Sequence, residues 1–264
     1  MVKIVSKISH EGGSTIILIN LTNLFNSKGI DTTFYGPHDF HMDKCKSKKL
    51  DELKFQKNDI LLTHHIPFEK RPPVKRVVLA SHEKWWFEVA DYPVHWDTVV
   101  FNHEEQRQYH NRYNGPYVLI PNPKDFHNPL YAIDKPEKEM IAGVIGSIDP
   151  RKQTHLSIEK AIDEGCEQVL VYGRVLDDEY YKKYCRKYFY HPNVKFMGQV
   201  NNKQEMFNSI GRVYHMSTGE VSCLVKDECQ YTNTKFFGNE QTLHQVSDLT
   251  NDEIFLLWKD VLKF

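Results

Sequence analysis

The sequence has no long hydrophobic run. No window of its 264 residues approaches the ~18 to 20 consecutive apolar residues that a membrane-spanning helix needs. The chain opens directly with the apolar run Val2-Lys-Ile-Val5, which is typical of a strand and not of a signal peptide. We therefore expect no transmembrane segment and a cytoplasmic location.

Cysteine pairs and short metal-binding motifs are also missing. The five cysteines form no C-x-x-C pair and are odd in number, so free thiols in a reducing compartment are the simplest interpretation. Histidines are frequent, as in His64-His65 and between His103 and His110, but no H-E-x-x-H or similar motif occurs. The sequence thus predicts no metal site and no bound cofactor.

An excess of charge of either sign is absent. Lys and Arg together number 34 and Asp and Glu 35, so the net charge is -1. Such a balance offers no bulk attraction for nucleic acid. Lys44 to Lys49 and Lys182 to Lys187 are local basic clusters, and both are interpreted as solvated helix faces. We expect no nucleic-acid partner.

Short apolar runs instead alternate with helical patterns along the whole chain. This alternation predicts parallel sheets covered by helices on both faces, in two Rossmann-like lobes. The expected boundaries are 1–125 for the first lobe and 138–250 for the second, with a Pro-rich, charged hinge between them. Residues 251–264 read as a terminal amphipathic helix that packs back on the first lobe. Further helices are expected at 83–90, 178–189 and 221–230.

Two glutamates in one segment, Glu220 and Glu228, are the most informative local feature. If a helix starts just after Gly219, their carboxylates fall on nearly the same face, roughly 12 Å apart. That span suits a ligand with two polar ends, such as a nucleotide sugar, whose diphosphate would lie against the helix start. A surface helix with two solvated acids is the alternative interpretation of the pair alone.

Segments around this pair occur in a characteristic order. Upstream lie Val144-Ile-Gly-Ser-Ile-Asp-Pro-Arg-Lys152, then Val169-Leu-Val-Tyr-Gly173, then Asn193-Val-Lys-Phe-Met-Gly198. This order resembles the C-terminal lobe of the retaining GT-B glycosyltransferases of family 4. In that family a Gly-Arg-x-x-x-x-Lys segment holds the donor diphosphate, and a Glu-x7-Glu pair follows about seventy residues later. The implied fold class is α/β, with two lobes whose parallel sheets face a cleft.

The first lobe carries a weaker part of the resemblance. A Gly12-Gly13 turn follows the first strand, and a strand ends in Ser81-His82. Tyr117-Val-Leu-Ile-Pro-Asn-Pro123 is similar to the Val-Ile-Pro-Asn-Gly segment that leads to the family's interlobe linker. Pro123 replaces the usual Gly, so this turn departs from the family.

The resemblance implies a role for each matching residue. Lys152 and Arg151 would hold the diphosphate, Glu228 the ribose and Glu220 the donor hexose, while His82 would lie near the transferred sugar. Glu220, His82 and Lys152 are thus the candidate catalytic residues. The donor-binding set is completed by residues that border the expected cleft: Gly12, Gly13, Gly146, Ser147, Gly173, Gly219, Ser222, Cys223 and Leu224. Ser147 stands where the family has Arg, and Arg151 is the candidate replacement.

The function implied is transfer of a sugar from a nucleoside diphosphate sugar to a glycan or other hydroxyl acceptor, with retention and without a metal. Two alternatives stay open. One is a GT-B-like binding or scaffold subunit without activity, which Ser147, Pro123 and the compact first lobe favour. The other is a nucleotide-sugar epimerase with a similar two-lobed fold.

Overall fold

Two parallel β-sheets, each with its own helices, make up the protein, which confirms the α/β class and the two Rossmann-like lobes. The computed structural model describes residues 1–7, 12–37, 42–64, 68, 70–82, 96–125, 130–200, 202–242 and 246–263. One unit comprises Met1–His127 with Ser247–Phe264, and the other comprises Asn128–Val246. Among the described residues, no helix is long and apolar enough to cross a membrane.

Seven strands form the sheet of the first unit. They are β1 (Val2–Ser6), β2 (Thr32–Gly36), β3 (Ser47–Lys49), β4 (Ile60–His64), β5 (Arg76–Ala80), β6 (Thr98–Phe101) and β7 (Tyr117–Leu119). All pairings are parallel, and the order is β3-β2-β1-β4-β5-β6-β7. The apolar runs of β1 and β4 are buried along their whole length, as expected for central strands covered on both faces.

Five strands form the sheet of the second unit. They are β8 (Ile141–Ile145), β9 (Gln168–Tyr172), β10 (Val194–Gly198), β11 (Arg212–His215) and β12 (Lys235–Gly238). The order is β10-β9-β8-β11-β12, again with parallel pairing throughout. The chain first winds outward from β8 to β10 and then returns to the other side of β8. The order therefore reverses between β8 and β11, the position at which ligands bind in open α/β sheets.

The helices lie between the strands. In the described part of the chain the α-helices are α1 (Gly13–Ser27), α2 (Glu104–Tyr109), α3 (Thr154–Asp163), α4 (Asp178–Tyr180), α5 (Lys203–Asn208), α6 (Leu224–Tyr231) and α7 (Asn251–Leu262). A π-helical turn over Tyr181–Cys185 and a 3-10 turn over Arg186–Tyr190 extend α4. The helix expected at 178–189 is therefore present but irregular.

The predicted helix at 221–230 is wrong at its start. The helix begins at Leu224, so Glu220 lies in the loop before it and the two glutamates do not share one helix. Val221 and Ser222 are weak helix formers, and Glu220 is held by groups from another loop and from β11, as described below. The helix expected at 83–90 lies outside the described residues.

Two strands were not predicted from the sequence. β3 consists of Ser47, Lys48 and Lys49, so it has no apolar residue and depends on backbone pairing with β2. Part of the basic cluster from Lys44 to Lys49 is thus an edge strand and not a helix face. β12 is only four residues long, too short for an alternating pattern to be recognised.

The segment between the units is anchored on the second one. The ammonium of Lys135 is buried, and it donates to the carbonyl of Phe207 at 2.5 Å and to Thr234 Oγ1 at 2.9 Å. Residues 130–137 therefore belong to the second unit.

The C-terminal helix α7 packs within the first unit. A capping box joins Thr250 and Glu253 at its start. Trp258 is buried, and its ring lies edge-on to Phe25 of α1 with 6.0 Å between centroids. The helix therefore covers apolar surface of α1.

Replacing Trp258 by Ala will lower the free energy of unfolding by about 3 to 5 kcal/mol, since it leaves a large cavity beside Phe25. Urea unfolding followed by far-ultraviolet circular dichroism measures the change. Leu256→Ala on the exposed side of the same helix is the control and changes stability little. Equal effects of the two substitutions would contradict this packing.

Candidate functional site

The candidate site lies at the carboxyl ends of β8 and β11, where the strand order of the second sheet reverses. The loop after β8 and the loop after β11 are bound to each other. Arg151 carbonyl accepts the backbone N–H of Thr218 at 2.9 Å and the hydroxyl of Ser217 at 3.2 Å. These bonds bring together two segments that are almost seventy residues apart in the chain.

A buried carboxylate with three basic neighbours is the centre of the site. Glu220 Oε1 accepts from Lys152 Nζ at 2.5 Å and from His215 Nε2 at 3.1 Å. Arg151 Nη1 lies 3.8 Å from the same oxygen. The Glu220 side chain is only 9% exposed. A carboxylate at this depth needs such partners because an unpaired buried charge is strongly unfavourable.

The environment keeps Glu220 ionised. Burial alone would raise the pKa of Glu220, but the hydrogen bond from His215 and the charge of Lys152 outweigh it. The pKa of Glu220 therefore lies well below its usual range. The site thus presents a fixed negative charge beside a lysine ammonium, an arrangement that can accept ligand hydroxyls and attract a ligand anion at once.

Close backbone approach shapes the wall of the site. Gly146 directly follows β8 with φ +138°, and Gly173 directly follows β9 with φ +142°, both in the region that favours glycine. A Cβ on Gly173 would lie 1.9 Å from the carbonyl oxygen of Gly146. The two loops can pass each other only because this side chain is missing.

Ser147 gives the site no positive charge. Its hydroxyl donates to Asp149 Oδ2 at 2.6 Å, and Asp149 Oδ1 accepts the backbone N–H of Lys152 at 3.0 Å. This network holds the loop that places Lys152. The position where the resembling family has Arg thus carries a loop-forming serine, and Arg151 supplies the second cation near Glu220.

Glu228 lies one turn inside α6 and has a cation of its own. Its Oε1 is 2.5 Å from Lys203 Nζ at the start of α5, and both side chains are largely buried. Before α6, Gly219 contacts Arg151 through a hydrogen bond from the guanidinium to its carbonyl at 3.0 Å. Ser222 is half-buried beside this loop.

Cys223 and Leu224 mark the N-terminus of α6. Cys223 is buried, and burial raises the pKa of its thiol, which favours the protonated form. Leu224 is half-buried and is the first residue of the helix. These residues place the helix start and do not act as nucleophiles.

Solved structures with the same architecture are known. HepE of Anabaena in complex with UDP superposes with a TM-score of 0.70 at 12% identity, over 99% of this chain and 91% of that one. WaaG, a glycosyltransferase of lipopolysaccharide biosynthesis, gives 0.65 at 12% identity over 100% and 91%. Sucrose-phosphate synthase from Thermosynechococcus elongatus gives 0.68 at 14% identity over 99% and 89%.

The chain has the GT-B fold. No protein-family model and no curated protein matches the sequence, so the likeness rests on structure. At such low identities the similarity establishes the fold alone. HepE has also been solved with UDP-glucose, so a GT-B protein of this architecture binds a nucleotide sugar.

Two residues of the candidate site, His215 and Lys203, were not predicted from the sequence. His215 is the last residue of β11, and Lys203 follows the N-cap Asn202 beyond β10. Their positions, at the end of one predicted strand and beyond the end of another, could have identified them as site residues, because the carboxyl ends of parallel strands meet at one edge of the sheet. Their pairing with Glu220 and Glu228 was visible only in three dimensions.

Gly12, Gly13 and His82 are the predicted site residues of the first unit. Gly12 is the N-cap of α1 and Gly13 its first residue. His82 follows β5, and its ring centroid lies 5.1 Å from that of His64, whose Nδ1 is 3.1 Å from Ser6 Oγ. These side chains lie at the carboxyl ends of β1, β4 and β5. Among the described residues, no group of three or more His, Cys, Asp or Glu could hold a metal ion.

Replacing Glu220 by Gln will destabilise the protein by roughly 2 to 3 kcal/mol at pH 7, because a charged acceptor is lost. The pKa of Glu220 is lower in the folded state than in the unfolded state. The stabilisation from ionised Glu220 is therefore fully present above the unfolded-state pKa of about 4.3, and it is lost as the pH falls toward the folded-state pKa. The difference between wild type and Glu220→Gln should therefore shrink below about pH 4.

Urea unfolding at several pH values measures that difference, with the exposed Glu137→Gln as control. A Glu220→Gln effect that is constant from pH 7 down to about pH 3 would contradict the proposed ionic partners.

Proposed function

We propose that the protein transfers a sugar from a nucleoside diphosphate sugar to an acceptor hydroxyl. The observation that carries this proposal is the buried ion pair of Lys152 and Glu220, with His215 bonded to the same carboxylate, at the point where the second sheet reverses its strand order. Ligands of open α/β sheets bind there. The UDP complexes of the GT-B neighbour HepE support a nucleotide donor.

The leaving diphosphate is the group that needs most stabilisation. Lys152 and Arg151 lie within one loop, and both approach the same oxygen of Glu220. Cations that are already held in place stabilise charge as it develops, without reorganisation at the moment of reaction. In our proposal Lys152 lies between the diphosphate and Glu220, so the carboxylate orients it. No metal is required for this step.

The two glutamates recognise the two sugars of the donor. Glu220, kept ionised by His215 and Lys152, accepts hydroxyls of the transferred hexose. Glu228 accepts the ribose hydroxyls, and Lys203 fixes its rotamer. These roles give the donor a defined orientation across the site, with the diphosphate between two carboxylates.

The acceptor side is assigned to the first unit. His82 and the Gly12-Gly13 turn lie at the strand ends of that unit, and we propose that they border a glycan or other hydroxyl acceptor. We also propose retention of configuration, as in the resembling family. The thiols of Cys166, Cys185, Cys223 and Cys229 are reduced and buried, which suits a cytoplasmic enzyme.

A binding subunit without turnover is the second candidate. The serine at position 147 favours it, because one phosphate-binding cation of the family is replaced by a group already bonded to Asp149. Nucleotide-sugar binding without hydrolysis or transfer, in a panel of UDP-, GDP-, ADP- and CMP-sugars, would select this candidate.

Replacing Lys152 by Ala is expected to lower kcat at least tenfold with a smaller change in KM, since charge on the leaving phosphate is greatest in the transition state. Lys160→Ala on α3, an exposed lysine that pairs with Glu164, is the control and leaves both constants unchanged. Steady-state kinetics with and without EDTA tests both claims. A change confined to KM, or a strict metal requirement, would refute this role.

Replacing Glu228 by Ala should weaken nucleotide binding by about one to two decades, because a charged hydrogen-bond acceptor costs ~1.5 to 3 kcal/mol when removed. Calorimetry with the nucleoside diphosphate alone measures this without turnover. Glu205→Ala on the exposed side of α5 is the control. Unchanged affinity would remove Glu228 from the donor site.

A further inference from the structure

A basic and aromatic segment of the second unit has no role in the site described above. From Tyr180 to Val200 the sequence contains five Lys or Arg residues and no Asp or Glu. This local excess contrasts with a net charge of -1 for the whole chain. The segment covers the helical stretch that extends α4 and the edge strand β10.

The helical stretch is amphipathic in an unusual way. Four basic residues and two aromatic rings lie on its solvent-exposed side. We call them the basic-aromatic face: Lys182, Lys183, Arg186, Lys187, Phe189 and Tyr190. All six are exposed, whereas Tyr180, Cys185 and Tyr188 on the opposite side are buried in the core of the unit. Packing of these three buried side chains in the core holds the helical stretch, and with it the exposed face, in a defined orientation.

Two aromatic rings stand out from this face. Phe189 is 58% exposed and Tyr190 is 76% exposed, and their rings meet edge to face with 5.4 Å between centroids. Phe189 also contacts Phe196 of β10 at 6.2 Å. Neighbouring large apolar side chains that remain this exposed mark an interaction surface.

The charges of the face are only partly neutralised. Lys182 pairs with Glu179 at 3.3 Å, and Lys187 pairs with Glu159 at 3.1 Å. Lys183, Arg186 and the neighbouring Lys195 form no ion pair with any residue that the structure describes. The face therefore combines an uncompensated positive charge with protruding apolar rings.

We propose that the basic-aromatic face docks the protein on an anionic membrane surface. Interfacial helices bind in this way, with cations at the lipid headgroups and aromatic rings at the boundary of the acyl chains. Nucleic acid fits less well, because its affinity grows with the number of phosphate contacts and two of the four cations are already paired. The inference does not depend on the proposed sugar transfer.

Flotation of the full-length protein with lipid vesicles tests the proposal. Vesicles of phosphatidylcholine with about 30 mol% phosphatidylglycerol are compared with phosphatidylcholine alone. We expect binding to the anionic vesicles only, and weaker binding at higher salt. Lys183→Gln with Arg186→Gln should reduce it by about tenfold or more, since each cation near an anionic surface contributes about fivefold.

Phe189→Ser with Tyr190→Ser should weaken binding by about tenfold or more, through lost apolar burial. Tyr131→Ser with Leu256→Ser removes similarly exposed apolar side chains in other segments of the chain and is the matched control, with no loss expected. Circular dichroism verifies that each variant is folded.

Three results would overturn the proposal. They are equal binding to neutral and anionic vesicles, no binding to either, and anionic binding that survives the Phe189 and Tyr190 substitutions. A single-stranded oligonucleotide that binds wild type, and loses affinity with Lys183→Gln and Arg186→Gln while vesicles do not bind, would assign the face to nucleic acid instead.

Discussion

The reversal of strand order in the second sheet is the constraint on which the site depends. Parallel strands are joined by right-handed crossover connections. The second sheet is built first on one side of β8 and then on the other. The loops after β8 and β11 therefore lead to opposite faces of the sheet, and a crevice forms between them. Lys152 comes from one of these loops, and Glu220 comes from the other. Neither loop alone contains a charge pair, and the pair exists because the topology places the two loops side by side.

Two buried ion pairs lie at opposite ends of their strands, and only the one at the carboxyl ends lies where a ligand is expected to bind. Lys3 and Asp59 form a buried pair at 2.5 Å toward the amino ends of β1 and β4, where no ligand is expected. The pair of Lys152 and Glu220 lies at the carboxyl ends of β8 and β11, with a histidine and an arginine beside it. Buried ion pairs are weak evidence for stability, because desolvation offsets much of the attraction. The pair of Lys152 and Glu220 is therefore interpreted as part of a binding site because of its position, and not because of its contribution to stability.

Lysine and arginine side chains occur in two different settings in the second unit, the candidate site and the solvent-exposed basic-aromatic face. In the candidate site, Lys152 and Arg151 are held by Glu220 and by bonds to the loop backbone. On the basic-aromatic face, cations are held on a helix by its buried side and face solvent. The first arrangement fits the small ligand that we propose, and the second fits the extended surface that we propose.

The residues show where prediction from sequence succeeded and where it failed. Apolar runs predicted the strands Ile141–Ile145, Gln168–Tyr172 and Arg212–His215, because burial on both faces requires continuous apolar side chains. The start of α6 was misplaced, since Glu220 is withdrawn from the helix by contacts with Lys152 and His215. Strand β3 was missed, because backbone pairing with β2 leaves no mark in a Ser-Lys-Lys sequence.

The sequence by itself determined the α/β class, the alternation of strands and helices, and the glycine positions that allow the loops to approach. The tertiary structure alone decided which cation meets which carboxylate. Lys203 reaches Glu228 and His215 reaches Glu220 at 2.5 and 3.1 Å respectively. Local sequence controls backbone propensity and burial pattern, whereas a hydrogen bond between distant residues depends on where the whole sheet carries them.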